Sequence, residues 1–326
     1  MLLYAYARRH AKKYRQKGEA MIVYRELGSL ESDLGFSLKT LYALSNNIKK
    51  HYVSVEIPKR NGGVRCLSVP DEILKRVQRR ITEVILSGQR VSKYATAYRY
   101  GAGILKNASE HVGKPKVLKL DILHFFDSIS YSEVKENVFV KERFSESVRI
   151  LLTMLCYCGD RLPQGAPSSP AITNIVMRDF DEKVGAWCKE QGIAYTRYCD
   201  DMTFSGDFDE RSIIAFVKQE LLKKHLVLNY GKTSVTTSGK RQIVTGIVVN
   251  QKSNISADYR RKLRQEIYYC KKYGLEEHAN RIGEDDTQKY LLGLLGRVSY
   301  ALQVRPDDVA LKEAKRWLTQ TINERG

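Results

Sequence analysis

Asp200 and Asp201 stand side by side in Tyr198-Cys199-Asp200-Asp201. β-prone residues flank them, Ile193-Ala194-Tyr195-Thr196-Arg197 before and Met202-Thr203-Phe204-Ser205 after. Successive side chains on a strand point to opposite faces, so two ionised carboxylates here suggest a tight turn between two strands. Like charges held that close raise one another's pKa unless a cation sits between them. Mg²⁺ is the natural cation, because it takes hard oxygen ligands from one or two carboxylates plus substrate phosphates. A solvated Asp-Asp in a hairpin turn is the other reading of these residues taken alone.

A second carboxylate site separates the two readings. Val117-Leu118-Lys119-Leu120-Asp121-Ile122 reads as a buried strand that delivers one Asp at its end, and Phe125-Phe126-Asp127 follows. Two-metal catalysis needs carboxylates converging on cations about 3.5–4 Å apart, one activating the attacking hydroxyl and one stabilising the leaving oxygen. Asp121, Asp200 and Asp201 form that candidate set. Asp127 is expected instead to cap a helix beginning at Ser128. Between the two sites, Leu162-Pro163-Gln164-Gly165-Ala166-Pro167-Ser168-Ser169-Pro170 cannot be helix. Its prolines and glycine fix a rigid turn, and Ser169-Pro170 supplies an N-cap and first-turn proline for the helix that follows.

The elements that must position these residues are read from periodicity. Residues 1–50 carry helical signals, beginning with a basic amphipathic stretch. Val53–Ile57 and Val64–Val69 form a hairpin with a basic tip around Pro58-Lys59-Arg60-Asn61-Gly62-Gly63. Pro70-Asp71 opens a helix whose core face is Ile73, Leu74, Val77, Ile81, Val84 and Ile85. Ile172, Ile175, Val176, Phe180, Val184 and Trp187 make the core face after the rigid turn, and a further helix is expected from about Glu210 to Lys224. Ile243–Val249 is the last strand pair, and from Ser256 onward the pattern is helical.

Composition points to a polyanionic partner. The chain has 326 residues, 43% of them hydrophobic, enough for a sizeable core and two or three lobes. Lys and Arg number 55 against 37 Asp and Glu, a net charge of +18, which suits nucleic acid better than a membrane surface. No segment reaches the roughly 20 continuous apolar residues of a transmembrane helix, and the order of charges at the amino terminus is wrong for a secretory signal. The six cysteines and six histidines show no metal-ligand spacing, and reduced thiols fit a cytoplasmic protein.

Strand-Asp, Pro-Gln-Gly loop, helix and Asp-Asp hairpin, in that order, resemble the palm of reverse transcriptases. The resemblance implies an α+β right-hand polymerase: fingers, a palm with an antiparallel sheet, and a helical thumb. The expected division is an N-terminal helical region over 1–50, fingers over 51–116, palm over 117–254 with fingers segments interleaved at about 128–165, and thumb over 255–326. It implies two Mg²⁺ ions, with Ile122 joining Asp121, Asp200 and Asp201 in the metal set, and dNTPs as substrates. Phe126 matches the bulky sugar-gate residue, which excludes a 2′-hydroxyl by a clash, while Phe125 is expected in the core. Gln164 matches the glutamine that contacts the incoming nucleotide, with Gly165 allowing close backbone approach. Lys59 and Arg65 are candidates to hold the triphosphate or to touch the template strand. Lys232 resembles the palm lysine near the leaving pyrophosphate, or lies in a solvated turn.

Asn107-Ala108-Ser109-Glu110-His111 matches the Asn-Ala-x-x-His element of retron reverse transcriptases, and Val244-Thr245-Gly246 matches their Val-Thr-Gly element. Cys199 departs from the family, where Ala is usual. The retron resemblance implies a cognate structured non-coding RNA, with Asn107, His111, Val244, Thr245 and Gly246 among its contacts. DNA synthesis would start from an internal guanosine 2′-hydroxyl and give a branched RNA–DNA hybrid (msDNA). Such systems serve antiphage defence with a separate effector protein, and no RNase H domain is expected after the thumb. In the thumb, Arg260, Arg264 and Lys271 are expected on the duplex. Gly296 either admits a nucleic-acid backbone or packs against a neighbouring helix, since helix-interior glycine costs about 1 kcal/mol. A group II intron-type reverse transcriptase and a catalytically silent RNA-binding scaffold are the rival readings.

Overall fold

The computed structural model describes residues 23–59 and 62–325. The basic amphipathic stretch expected at the amino terminus lies outside them, apart from the helices Leu27–Leu34 and Leu38–Asn46 that follow it. At the centre is a four-stranded antiparallel sheet, β4-β5-β3-β6, made of β3 (Lys116–Asp121), β4 (Ala194–Tyr198), β5 (Asp201–Gly206) and β6 (Ser234–Thr237). Its strands are rich in Val, Leu, Tyr, Thr and Phe, which fit a pleated surface covered by helices. Val117, Leu118, Leu120, Tyr195, Met202 and Phe204 are all buried.

Helices Ser169–Val176, Arg178–Glu190 and Glu210–Leu222 supply Ile172, Ile175, Val176, Phe180, Val184, Ile213, Val217 and Leu221 to the same core. Helix Ser169–Val176 begins one residue earlier than expected, with Ser168 at the cap position and Pro170 in the first turn. The expectation for Asp127 is corrected. Phe125–Ser128 is itself a single helical turn, and the next helix, Tyr131–Asn137, is capped by Ser130 in a reciprocal box with Glu133. Asp127 lies 3.9 Å from Arg161 and 4.0 Å from His124 instead. Ile73 is likewise corrected, since it faces solvent while Leu74, Val77 and Ile81 are buried.

β1 (Tyr52–Pro58) and β2 (Val64–Pro70) pair antiparallel from Tyr52↔Pro70 to Pro58↔Val64. This hairpin stands away from the main core, with Val53, Val55, Ile57 and Val64 exposed. Its base is tied down where Ser68 N–H donates to the Gln164 carbonyl at 2.7 Å.

A second apolar core gathers β7 (Ile243–Val244), β8 (Ile247–Val248) and the helices Ala257–Tyr273, Leu275–Arg281, Thr287–Val304 and Val309–Arg325. β7 and β8 are joined by the two-residue turn Thr245-Gly246, with φ of 45° and 84°. Positive φ at both positions is the primed turn that matches strand twist. Ala108 and Val117 belong to this second core, so it abuts the central sheet. No helix among the described residues is long and apolar enough to cross a membrane.

Candidate active site

Sheet register brings the three carboxylates together. β4 and β5 are joined by Cys199 and Asp200 alone, with Tyr198 opposite Asp201, and Asp121 at the end of β3 pairs directly with Asp201. The Asp200 carbonyl accepts from Ile122 N–H at 3.1 Å, which ties the turn to the end of β3. The Ile122 side chain is buried, so only its backbone could serve a metal. Asp121 is itself buried. Its Oδ1 accepts from Asn229 Nδ2 at 2.9 Å and its Oδ2 from Lys232 Nζ at 2.7 Å.

Asp201 is exposed to solvent, but its carboxyl pKa is pushed up to about 6. The surrounding protein removes water from the charged form, and Asp200 and Asp121 repel it. Lys232 is held above the usual lysine range by its bond to Asp121. Hard carboxylate oxygens gathered at one end of a sheet are the donor type that Mg²⁺ takes, so the chemistry of these side chains fits that ion. Among the described residues no three His, Cys, Asp or Glu close tightly enough to enclose an ion in this conformation. Both oxygens of Asp121 are engaged by Asn229 and Lys232.

Lys232 lies on the exposed turn Tyr230–Lys232, its side chain 59% exposed, and reaches Asp121 from there. Phe126 is half-buried and meets the buried Phe125 edge-on, ring centres 5.6 Å apart. Gln164 sits in the loop docked on β2. A Cβ on Gly165 would lie 2.8 Å from the Ser68 carbonyl, so no side chain fits at that position without a shift. Lys59 and Arg65 are exposed on the hairpin and make no ion pair among the described residues.

The two motifs expected at RNA are placed differently. Asn107, His111 and Val244 are buried, and this corrects the expectation that their side chains face RNA. Asn107 Nδ2 lies 3.4 Å from Thr245 Oγ1, and its Oδ1 accepts from Thr96 Oγ1 at 2.7 Å. Thr245 Oγ1 donates to the Ile104 carbonyl at 3.1 Å. His111 bridges Ser205 Oγ and Thr196 Oγ1 at 2.7 and 2.8 Å, and burial drives its pKa down to about 3. Asn-Ala-x-x-His and Val-Thr-Gly thus meet inside the protein and brace β4 and β5 against the second core. Gly246 alone of the five is exposed.

Arg264, Lys271 and Gly296 are exposed and Arg260 is half-buried. A Cβ at Gly296 would meet nothing within 4 Å, which removes the neighbouring-helix alternative for that glycine. Lys271 lies over the Trp317 ring at 5.3 Å.

Asn229, Tyr98 and Arg197 escaped sequence reasoning. Asn229 holds Asp121 by backbone and side chain alike. Tyr98 has φ 56°, is 54% exposed, and its ring centre lies 6.4 Å from that of Tyr198. Its signal would have been an aromatic-rich Tyr98-Arg99-Tyr100 run beside a glycine break; Asn229 offers no comparable signal.

Residues 57–288 match the family model described as reverse transcriptase (RNA-dependent DNA polymerase). The retron Mx65 reverse transcriptase of Myxococcus xanthus is 30% identical over 79% of this chain and 62% of its own length. The retron Ec83 reverse transcriptase of Escherichia coli is 33% identical over 65% of this chain and 72% of its own. Among solved structures, an apo telomerase from Candida tropicalis truncated from its C-terminal domain covers 68% of this chain and 61% of that one, at TM-score 0.46 and 15% identity. With a polymerase-type carboxylate cluster on an antiparallel sheet and these relatives over most of its length, the chain belongs to the reverse transcriptase family, among the retron reverse transcriptases.

Proposed function

We propose that this chain is the RNA-directed DNA polymerase of a retron. It copies a cognate structured non-coding RNA from dNTPs, starting at an internal guanosine 2′-hydroxyl, and leaves a branched RNA–DNA product. Action in the cytoplasm, as antiphage defence with a separate effector polypeptide, completes the reading by its likeness to retrons. The observation that carries the polymerase function is the register of Asp121 against Asp201, with Asp200 in the β4–β5 turn beside them and Lys232 on Asp121.

When bound, two Mg²⁺ ions would polarise the attacking hydroxyl and stabilise the leaving oxygen. The protein's part is to hold Asp121, Asp200 and Asp201 at one sheet end, where they would carry those ions. Lys232 presents a cation beside them, placed to neutralise charge on a leaving pyrophosphate. Phe126 sits one short turn beyond Asp121 as the proposed floor under the sugar. Gln164, on a loop that Gly165 lets lie against β2, would border the base. Lys59 and Arg65 would bring charge to the triphosphate from the hairpin.

Primer extension on a generic RNA template with Mg²⁺ and dNTPs tests the polymerase reading; absence of extension, with the protein still binding RNA, supports a silent scaffold instead. Sequencing the DNA beside the gene for a short inverted-repeat RNA, and synthesis on that RNA, tests the retron reading. DNA whose 5′ end stays joined to RNA after alkali is not expected if priming uses an ordinary 3′ end, so the 2′ linkage is read with a debranching nuclease. Linear products alone would favour a group II intron-like enzyme.

A further inference from the structure

Arg197 heads the fully buried side chains by size among the described residues. It lies on β4, immediately before Tyr198 and the turn. Its Nε and Nη2 donate to the two oxygens of Asp181 on helix Arg178–Glu190 at 2.8 and 2.6 Å. Nη2 also reaches Asn174 Oδ1 at 3.3 Å, and Nη1 donates to the Cys199 carbonyl at 2.8 Å. Asp181 is buried as well, and its Oδ1 accepts a further bond from Tyr195 Oη at 2.9 Å.

The last of the Arg197 bonds bears on the carboxylates. Cys199 has φ 62°, the left-handed region that a residue with a Cβ enters at a cost. Such a conformation persists where its surroundings over-determine it. Asp200 and Asp201 follow directly, so the orientation of the Cys199 peptide sets where both carboxylates leave the turn. A buried ion pair is weak evidence of stabilisation, because an apolar pair of similar volume often serves equally well. The planar guanidinium grips both oxygens of Asp181 and still reaches the Cys199 carbonyl with a third nitrogen-borne proton, a fixed fork that a lysine ammonium does not reproduce.

We propose that Arg197, anchored by Asp181, is a positioning residue that fixes the Cys199 carbonyl and thereby aims Asp200 and Asp201. The consequence for catalysis rests on the polymerase reading; the consequence for the turn does not. Asn174 extends the same network, since its Nδ2 donates to the Ala97 carbonyl at 2.8 Å, next to Tyr98.

Removing one partner alone would strand a buried charge, so the test is the paired variant Arg197→Met with Asp181→Leu. Two readouts are taken on the full chain. Alkylation by N-ethylmaleimide is followed peptide by peptide, comparing Cys199 with Cys188, which is buried on helix Arg178–Glu190 and reports global folding. Single-nucleotide addition on an RNA template gives kcat and KM for dNTP. The expected result is alkylation of Cys199 faster by at least about tenfold, the mark of local opening, with Cys188 still protected. kcat should fall about a hundredfold, as for a misplaced catalytic group, with KM within about twofold. Cys199 still protected with kcat near wild type would overturn the proposal. Should the paired variant not fold, Arg197→Lys keeps the charge but loses the fixed bidentate fork on Asp181, and the same two outcomes decide. If the wild-type chain makes no DNA, the polymerase reading fails, while the Cys199 and Cys188 rates still decide the positioning role.

Discussion

Lys232 Nζ donates to Asp121 Oδ2 at 2.7 Å, so the one buried carboxylate of the three-aspartate cluster is met by a half-exposed lysine. Asn229 holds the other oxygen. This pairing makes Lys232 part of the site's charge balance. Lys232→Met should weaken the fold by only about 1 kcal/mol, since the ammonium is largely in water. It should slow nucleotide addition by about a hundredfold, the scale for losing one donor to developing negative charge. Rapid-quench kinetics would read this; an unchanged kcat would remove Lys232 from the chemistry.

Asp201 sets a pH dependence whose sign follows from its raised pKa. The ordinary value is 3.8 and the folded value about 6, so the fold disfavours the ionised form. Without metal, stability should therefore fall as pH rises from about 4 through 6. Mg²⁺ compensates the charges it binds, so its increment to Tm should be larger at pH 7.5 than at pH 5, where a proton must first leave. Asp201→Asn should flatten both trends and abolish DNA synthesis while leaving RNA binding nearly intact. Equal Mg²⁺ increments at the two pH values would contradict the metal assignment.

His111 gives a second, opposite signature. Burial lowers its pKa to about 3, whereas the unfolded chain titrates near 6.5. The unfolded state takes up the proton first, so stability should decline as pH falls below about 6.5 toward 3. His111→Gln can keep one donor and one acceptor for Thr196 and Ser205 and should lose less stability between pH 7 and 5. His111→Ala strands both hydroxyls and should cost about 2–3 kcal/mol at neutral pH. Urea titrations at the two pH values measure the difference; parallel curves for wild type and His111→Gln would refute it.

β3 and the Asp200-Asp201 turn are legible in the sequence because an apolar run ending in one Asp marks a strand end, and a carboxylate pair between β-prone runs marks a turn. The hairpin ending at Val69 and the rigid turn at Pro163–Pro167 are legible for the same local reason, proline and glycine punctuation. Arg197 is not, because its partner Asp181 lies 16 residues away on a helix and only tertiary burial joins them. Asp127 misled because an acidic residue before Ser128 looks like a cap, while Ser130 with Glu133 three residues on carried the stronger capping signature. Asn107, His111 and Val244 stand out as motif residues, yet a motif does not say which side of the surface it lies on. Their burial turns them from expected contacts into internal braces.

Phe126 is half-buried against Phe125, five residues beyond Asp121. Truncation to Phe126→Val should open space under the sugar without touching the carboxylates. Ribonucleotide use relative to dNTP should rise by about 10- to 100-fold, the range for relieving a steric clash worth about 1–3 kcal/mol. Competing rNTP and dNTP incorporation at a single template position measures the ratio. An unchanged ratio would place the gate elsewhere.

Gly296 lies on the exposed side of helix Thr287–Val304, with open space where a Cβ would stand. Gly293, one turn earlier, is exposed too and has only the Arg297 guanidinium nearby. Two glycines inside one helix cost about 1 kcal/mol each against alanine, and no internal packing contact repays Gly296. A surface that must accept a close approach explains the cost, and the exposed Arg264 and Lys271 on helix Ala257–Tyr273 suit a nucleic-acid backbone. Gly296→Ala should therefore raise thermal stability by about 1 kcal/mol, while Gly296→Trp should shorten products more than it slows the first addition. Arg264→Ala and Lys271→Ala should each flatten the salt dependence of binding by roughly one slope unit per lost phosphate contact. Full-length products from Gly296→Trp at wild-type yield would show that the duplex does not run over this face.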